Sequence, residues 1–387
     1  MSKISKRDFI KKSLAGLGAT ALGIKASGLF ADEMKNISDS SASPGPLAGL
    51  WKWSKESPYY IVTPKGVKCM ICPNHCILRE GQESICRTHV VVDDKLYTIA
   101  YGNPCSVHVD PIEKKPLYHF LPTTSSFSIA TAGCTMACLN CQNWEISQQS
   151  PKNTQNVDMM PAKVVEEAVQ SGSKSIAYTY SEPIAFYEYT FDTARLARAR
   201  GLKNVLVSNG YIDPKPLRDL CKYIDAANIN LKSFSDEIYT KLNGGSLEPI
   251  LNTLKIMKEE GVWLEITNLI VPTWTDKIDM IKEMCAWLVK NGFQDNPLHF
   301  LRFFPLYKLT SLPYTPESIM IKAREIALSE GMHYVYIGNV PGSVAENTYC
   351  PKCKKVVVER IGFTVTQHNI LNSNCKFCGT RINGVWN

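Results

Sequence analysis

The sequence predicts an α/β chain: a partial (βα)6 barrel flanked by a small cysteine-rich segment at each end. Three observations carry this. Short β-rich apolar runs alternate with amphipathic stretches from about residue 126 to residue 337. Several of those stretches stop at a glycine: Gly172, Gly201, Gly261, Gly292 and Gly331. Eleven of the fourteen cysteines fall into three tight clusters, and only one cluster lies inside the alternating region.

The predicted strands are Ser126–Thr131, Ser175–Tyr180, Asn204–Ser208, Ala226–Leu231, Trp263–Ile270, His299–Phe303 and His333–Ile337. Between them the predicted helices are Ala162–Ser171, Ile184–Arg200, Pro216–Ile224, Leu247–Glu260, Lys277–Asn291 and Pro316–Glu330. Strand–helix alternation at this period means βαβ units and a parallel sheet. Six or seven units are too few for a full eight-fold TIM barrel and enough for a partial one; a doubly wound open sheet is the alternative that periodicity leaves open. The expected segments are 1–31 (leader), 32–60 (linker and lead-in), 61–122 (N-terminal cysteine cluster), 123–345 (core barrel) and 346–387 (C-terminal four-cysteine segment).

The first 31 residues stand apart. Of the formal charge of +7, they carry +5, from Lys3, Lys6, Arg7, Lys11, Lys12 and Lys25 against Asp8. The remaining +2 gives no basic face for nucleic acid. A basic start, a mild Gly/Ala-rich middle and small residues near Ala31 are the anatomy of an export signal, too short for a membrane span. Residues Ser5 to Lys11 resemble a twin-arginine signal with Lys6 in place of the first arginine. That route moves proteins already folded around their metals, which is compatible with so many metal-spaced cysteines. It conflicts with cytoplasmic chemistry, and localisation stays open.

Cys134, Cys138 and Cys141 lie directly after the first predicted strand, spaced C-x3-C-x2-C. A closed zinc or ferredoxin-type site wants four ligands. Three thiolates in one short loop hold three irons of a [4Fe-4S] cluster and leave the fourth iron open to a small chelating ligand; zinc completed by a distant histidine is the alternative. Active sites of α/β barrels sit at the C-terminal strand ends, where this loop belongs.

At the C-terminus, Cys350-x2-Cys353 and Cys375-x2-Cys378 are two knuckles that make a tetrahedral four-thiolate site, best matched to zinc. The stretch between them, "KVVVERIGFTVTQHNI", alternates like a hairpin. Near the N-terminus, Cys69, Cys72, Cys76 and Cys86 form a second four-thiolate set, with His75 and His89 close enough to compete. Zinc and an auxiliary iron–sulfur cluster both suit it. Cys221 and Cys285 read as structural thiols, and so does Cys105, with a substrate-side thiol as its alternative.

The triad in "GCTMACLNCQNWEISQ", with "VDPIEKKPLYHFLP" before it and "AYTYSEPIAFYEY" after it, resembles radical SAM enzymes of the branch related to pyruvate formate-lyase activating enzymes. More narrowly, "ANINLKSFSDEIYTKLNGG", "RFFPLYKL" and "YIGNVPGSVAENTYCPKC" resemble the AmmeMemoRadiSam system radical SAM enzymes. The resemblance runs from about Val67 to the C-terminus. It implies S-adenosylmethionine (SAM) chelated at the open iron and cleaved to a 5′-deoxyadenosyl radical. It also implies a protein or peptide substrate, by glycyl-radical activation or another modification. AmmeMemo partner proteins and an electron donor such as flavodoxin or ferredoxin are the implied partners.

By the same resemblance Tyr180, Ser181 and Glu182 line the methionine end of SAM, where a carboxylate holds an ammonium group. Ser208 and Asn209 fall where relatives contact ribose or carboxylate, and Lys232 faces the SAM carboxylate or a substrate anion. Plain structural roles compete: helix capping for Glu182, a β-to-α turn for Ser208 and Asn209, a solvated lysine for Lys232. Asn140 stands where relatives often carry an aromatic beside adenine, with Trp144 as a substitute. Asn230 stands where relatives tend to carry Asp. The competing class of function is an iron–sulfur or zinc electron carrier or interaction protein without SAM chemistry. It accounts for the cysteines but not for the missing fourth ligand or for Glu182.

Overall fold

Residues 50–387 are described by the computed structural model, so the leader and most of the linker lie outside the described residues. The predicted strands form side by side in chain order. They are β2 (Ser125–Ala130), β3 (Ser175–Tyr178), β4 (Lys203–Ser208), β5 (Ala226–Asn230), β6 (Trp263–Ile270), β7 (Leu298–Arg302) and β8 (Val335–Gly338), all parallel. One strand was not predicted: β1 (Ser106–Pro111) pairs antiparallel with β2 and makes the sheet eight-stranded. Its polar–apolar alternation, Ser-Val-His-Val-Asp, is the signal for it.

Six helices connect the parallel strands: α1 (Pro161–Gln170), α2 (Tyr187–Ala199), α3 (Pro214–Cys221), α4 (Glu248–Glu259), α5 (Ile278–Lys290) and α6 (Glu317–Ser329). Strand order never reverses, so right-handed crossovers put every helix on one side of the sheet. A doubly wound sheet needs a reversal point, and this sheet has none. Helix α2 starts three residues later than predicted, because Glu182 to Phe186 forms a turn closed by Ala185 N–H on the Glu182 carbonyl at 2.9 Å. Helix α3 starts two residues earlier. Pro214 occupies its first turn, where a missing N–H costs nothing.

The two faces of the sheet differ. Phe127, Ile129, Ile176, Leu206, Ala227 and Ile229 pack in one core with Val164, Ala168, Leu217 and Leu254 from the helices. On the opposite face, Ala177, Val205 and Ala226 form a register row and pack against Ile112, Leu117 and Phe120 of the segment between β1 and β2. Fully buried Glu265 on β6 fixes that segment. It accepts the Tyr118 and His119 N–H groups at 2.9 and 2.7 Å and bonds His299 at 2.6 Å. Burial would raise its pKa, but His299, His119 and the Tyr118 N–H outweigh that and lower it.

The predicted C-terminal hairpin forms as Val356–Ile361 and Thr364–His368, turning at Gly362. Arg360 from this hairpin is buried and donates to the Tyr118 carbonyl at 2.7 Å, which ties the ribbon to the segment beneath the sheet. N-terminally, two three-stranded antiparallel sheets form between Lys55 and Thr98, so regular structure already begins inside the expected lead-in. No helix among the described residues is long and apolar enough to cross a membrane.

Candidate active site

The loop that follows β2 carries Cys134, Cys138 and Cys141, and two of the thiols are met by asparagines from different loops. Asn209, just after β4, places its Nδ2 3.7 Å from Cys134 Sγ and donates to Thr135 Oγ1 at 3.0 Å. Asn243, after β5, donates to Cys138 Sγ at 3.3 Å. The backbone of the loop is paired as well: Ala137 N–H to the Asn243 carbonyl and Leu139 N–H to the Leu242 carbonyl, both at 2.9 Å. Lys308 N–H, beyond β7, reaches the Leu139 carbonyl at 3.0 Å. Loops from β2, β4, β5 and β7 therefore meet at one end of the sheet.

Gly133 makes this approach possible. Its φ of +100° suits glycine, and a Cβ there would lie 2.4 Å from Thr88 Cγ2 and 2.5 Å from the Cys86 carbonyl oxygen. Asn243 sits at the end of a short π-helical turn, Tyr239–Asn243, closed by left-handed Gly244, and a Cβ on Gly245 would meet Met136. Sequence reasoning passed over this Asn-Gly-Gly. Its signal was the paired glycines in the long fourth-strand motif.

Glu182 is 2% exposed and both carboxylate oxygens are engaged. Oε1 accepts the Ser208 hydroxyl at 2.6 Å and the Ile184 N–H at 3.1 Å, and Oε2 accepts the Asn209 N–H at 2.8 Å. Burial raises its pKa, and the bonds from Ser208, Asn209 and Ile184 offset that only in part. Three of about four lone-pair positions are taken. Glu182 thus bolts the β3 turn to the β4 turn, and Asn209 carries the bolt on to the cysteine loop. Ser208 accepts Gly210 N–H at 3.0 Å, and Ser181 donates to the Thr131 carbonyl at 2.6 Å.

Lys232 is different. It is half-buried, its ammonium makes no ion pair among the described residues, and its charge acts on both Cys141 and Glu182. Buried Asn140 Oδ1 and Asn243 Oδ1 beside the triad are also without a partner. Trp144 is stacked on Tyr307, centroids 5.3 Å apart at 14°.

Tyr180 takes its hydroxyl partners from β1 and the segment that follows it. It has φ +65°, its carbonyl accepts Asn143 Nδ2 at 2.6 Å, and its hydroxyl bonds Asp110. Lys115, fully buried, lies 2.6 Å from Asp110 Oδ2 and 4.4 Å above the Tyr180 ring. Burial would raise the Asp110 pKa, but Lys114, Lys115 and Tyr180 hold it well below the usual carboxylate range. His108 and Asp110 lie on the same face of the sheet as Ser128 and Ala177. This Asp–Lys–Tyr group is a polar feature that the sequence reading missed, because neither Asp110 nor Lys115 stands in a recognisable spacing.

The cysteine clusters differ in sulfur spacing. Cys350, Cys353, Cys375 and Cys378 have all four Sγ atoms within 4.8 Å of one another, with 3.6 Å from Cys350 to Cys378 and 3.8 Å from Cys353 to Cys375. A Zn–S bond of about 2.3 Å gives a tetrahedron with edges of about 3.8 Å, so this set is formed for one ion. Among the described residues no other group is so tight, so the N-terminal quartet and the triad are not gathered to single-ion spacing. Cys105 lies at the sheet edge, its N–H on the Ala130 carbonyl at 2.8 Å, with burial pushing its thiol up to about 11; Cys221 and Cys285 are buried in helices.

Residues 128–288, which contain the triad and the strands that follow it, match the radical SAM superfamily. The chain belongs to the radical SAM superfamily. This radical SAM chain is 44% identical over 321 residues to an uncharacterised protein of Methanocaldococcus jannaschii, covering 82% of the chain and 96% of that relative. It is 26% identical over 152 residues to pyruvate formate-lyase 1-activating enzyme of Escherichia coli K12, covering 38% of the chain and 61% of that enzyme. Among solved structures it is similar to a domain of a pyruvate-formate lyase-activating enzyme from Bacteroides vulgatus, at 15% identity and TM-score 0.38, covering 43% of this chain and all of that one. It is also similar to Streptococcus suis SuiB bound to its precursor peptide, at 16% identity and TM-score 0.43, covering 59% and 51% of the two chains.

The superfamily implies a [4Fe-4S] cluster and SAM, and the residues present fit both. Three thiols share one short loop at wider than single-ion spacing. The side chains bonded to them, Asn209 and Asn243, do not replace a fourth thiolate. Asn140 Oδ1, Asn243 Oδ1 and the Lys232 ammonium, without partners among the described residues, stand beside them.

Proposed function

We propose that this chain is a radical SAM enzyme that modifies a protein or peptide, by glycyl-radical activation or related chemistry. The observation that carries the reading is the triad loop: three thiols, no fourth, clamped by asparagines from two neighbouring βα loops. Bound there, a [4Fe-4S] cluster and SAM supply a 5′-deoxyadenosyl radical that abstracts a substrate hydrogen. Cys134, Cys138 and Cys141 hold the iron. Lys232 holds the SAM carboxylate, because its ammonium has no counter-ion among the described residues. Glu182, Ser208 and Asn209 position the loops around the ligand, and Glu182 keeps one acceptor position for its ammonium group. Ser181 and Tyr180 shape the turn beside it.

We read the sheet as the wall of a partial barrel. Sequential strand order and the meeting of the β2, β5 and β7 loops support this, because a flat sheet would hold those loops apart. A curved wall keeps water from a reactive radical. The C-terminal four cysteines are read as a structural zinc site, and flavodoxin or ferredoxin as the class of electron donor. A protein or peptide substrate is favoured because one relative is an activating enzyme. AmmeMemo partner proteins are the narrower proposal from sequence resemblance.

The test is anaerobic incubation of reduced, iron-loaded protein with SAM. Wild type forms 5′-deoxyadenosine, and Cys138→Ala forms none while keeping its C-terminal metal. Cleavage by the variant at the wild-type rate refutes the proposal.

A further inference from the structure

The N-terminal quartet has no part in the function just described, yet it lies against the triad. Cys69, Cys72 and Cys86 are buried, Cys76 is half-buried, and none forms a disulfide. The Cys69 N–H donates to the Cys76 carbonyl at 2.9 Å, and Cys86 is near enough to act electrostatically on each of the other three. Four mutually close thiols, three of them buried, without disulfides are a metal site by composition. Which metal is the question that spacing left open.

The three cysteine groups answer it by comparison with one another. The C-terminal group is drawn together to the edge length of a one-ion tetrahedron. The triad is not, as expected for thiolates on the outer corners of a four-iron cluster, which is wider than one ion. Like the triad, the N-terminal quartet is not drawn within 4.8 Å, although its cysteines are as close in sequence as a zinc knuckle's. The Cys86 thiol also has three polar neighbours: Thr88 Oγ1 at 2.9 Å, Ser84 Oγ at 3.0 Å and His89 Nδ1 at 3.6 Å. Hydrogen bonds to ligand sulfurs are a main lever on iron–sulfur reduction potential. Buried Glu188 holds the other His89 nitrogen at 3.3 Å, so the imidazole is aimed at the sulfur.

Position gives the role. The Cys86 carbonyl and Thr88 press on Gly133, the residue before Cys134. Asn74, between the second and third cysteines of the quartet, donates to the Thr135 carbonyl at 2.8 Å. The same loop is fastened to the segment after β4 by Asp213 N–H on the Ile71 carbonyl at 2.9 Å and by His75 on Asp213 at 2.6 Å. The ligand loops of the two sites are thus in direct contact.

We propose that Cys69, Cys72, Cys76 and Cys86 hold a second iron–sulfur cluster of the [4Fe-4S] type, packed against the triad loop, which passes single electrons to the site there. All four corners carry thiolate, so it has no open iron and does not bind SAM. One electron arrives from a reduced flavin- or iron–sulfur-carrying protein, which is oxidised by one electron, and the same electron leaves toward the triad. No bond forms or breaks and no proton moves. The role as a relay rests on the function proposed above; the cluster itself does not.

The test uses the full chain, reconstituted anaerobically with iron and sulfide. Wild type should hold about eight irons and one zinc per chain. The triple variant Cys134→Ala, Cys138→Ala, Cys141→Ala should keep about four irons, with a reduced-state paramagnetic signal unchanged by SAM. Cys72→Ser should lose about four irons, keep its zinc as proof of folding, and slow reduction of the remaining cluster by a flavodoxin at least tenfold. Two zincs and only four irons in wild type overturn the proposal, as does an iron-free triple variant that retains its zinc. Four irons in the triple variant alongside a wild type that never cleaves SAM would leave this cluster standing and remove the proposed function instead.

Discussion

Removing the Glu182 carboxylate should loosen the site before it touches any ligand. In Glu182→Ala the N–H groups of Asn209 and Ile184 lose their acceptors inside a region closed to water, and the Ser208 hydroxyl must find another partner. Each orphaned buried N–H costs about 1–3 kcal/mol. Against this, the variant no longer buries a charge, and the raised pKa of Glu182 shows that burial outweighs its hydrogen bonds. A net loss of about 2–4 kcal/mol follows. Unfolding entropy near 2 cal/mol/K per residue makes that about 4 °C in Tm for a chain of this size. Glu182→Gln, which keeps one acceptor oxygen, should lose about half as much. The assays are anaerobic calorimetry of the iron-loaded protein and equilibrium dialysis with SAM. Both Tm and SAM affinity should fall in the alanine variant. An unchanged Tm refutes the argument, and an unchanged Tm with weakened SAM binding would show that the carboxylate serves the ligand rather than the loops.

Three further outcomes are expected. Lys232→Ala should raise the SAM Kd by about 1.5–3 kcal/mol, roughly tenfold or more, with little change in Tm, and an unaltered Kd removes Lys232 from the ligand site. Cys378→Ser should drop zinc from one to near zero per chain in metal analysis, whereas redox-active iron at that site in wild type would reverse the assignment. Buried His119 has its pKa pushed down to about 4, by burial first, against 6.5 when free. Its depressed value means the unfolded chain binds a proton first, so its contribution is complete above pH 6.5 and is lost as pH falls toward 4, about 3 kcal/mol in all. Urea unfolding at pH 7 and pH 5 should show wild type losing more stability than His119→Gln, and equal losses would contradict the neutral buried imidazole.

Much of the fold was legible because the signals are local. Seven parallel strands and six helices lie within a few residues of their predicted ends, and the five stop glycines all have positive φ. Strand β1 was missed because a strand with His108 and Asp110 on one face does not look like core. It is a strand only because β2 offers it an edge. At the site, the cysteine spacings announced metal, but the roles of the polar residues did not follow from them. Glu182 was expected to face a ligand, and its carboxylate is spent largely on the next loop. Tyr180 is expected to line the methionine end of SAM with Ser181 and Glu182; its backbone is left-handed and its hydroxyl bonds Asp110, which spacing does not announce.

The sequence by itself determined the alternation of strand and helix, the three-thiol loop and the four-thiol pairs, because each is written in neighbouring residues. Tertiary structure alone decided which loops meet. Asn243 reaches Cys138 across 105 residues, Asn209 reaches Thr135 across 74, and Glu265 holds the backbone of Tyr118 and His119 from nearly 150 residues away. No periodicity encodes such contacts. They exist because sequential parallel strands bring the loops at one end of the sheet together, and because each buried donor or acceptor there must find a partner or leave a place for a ligand.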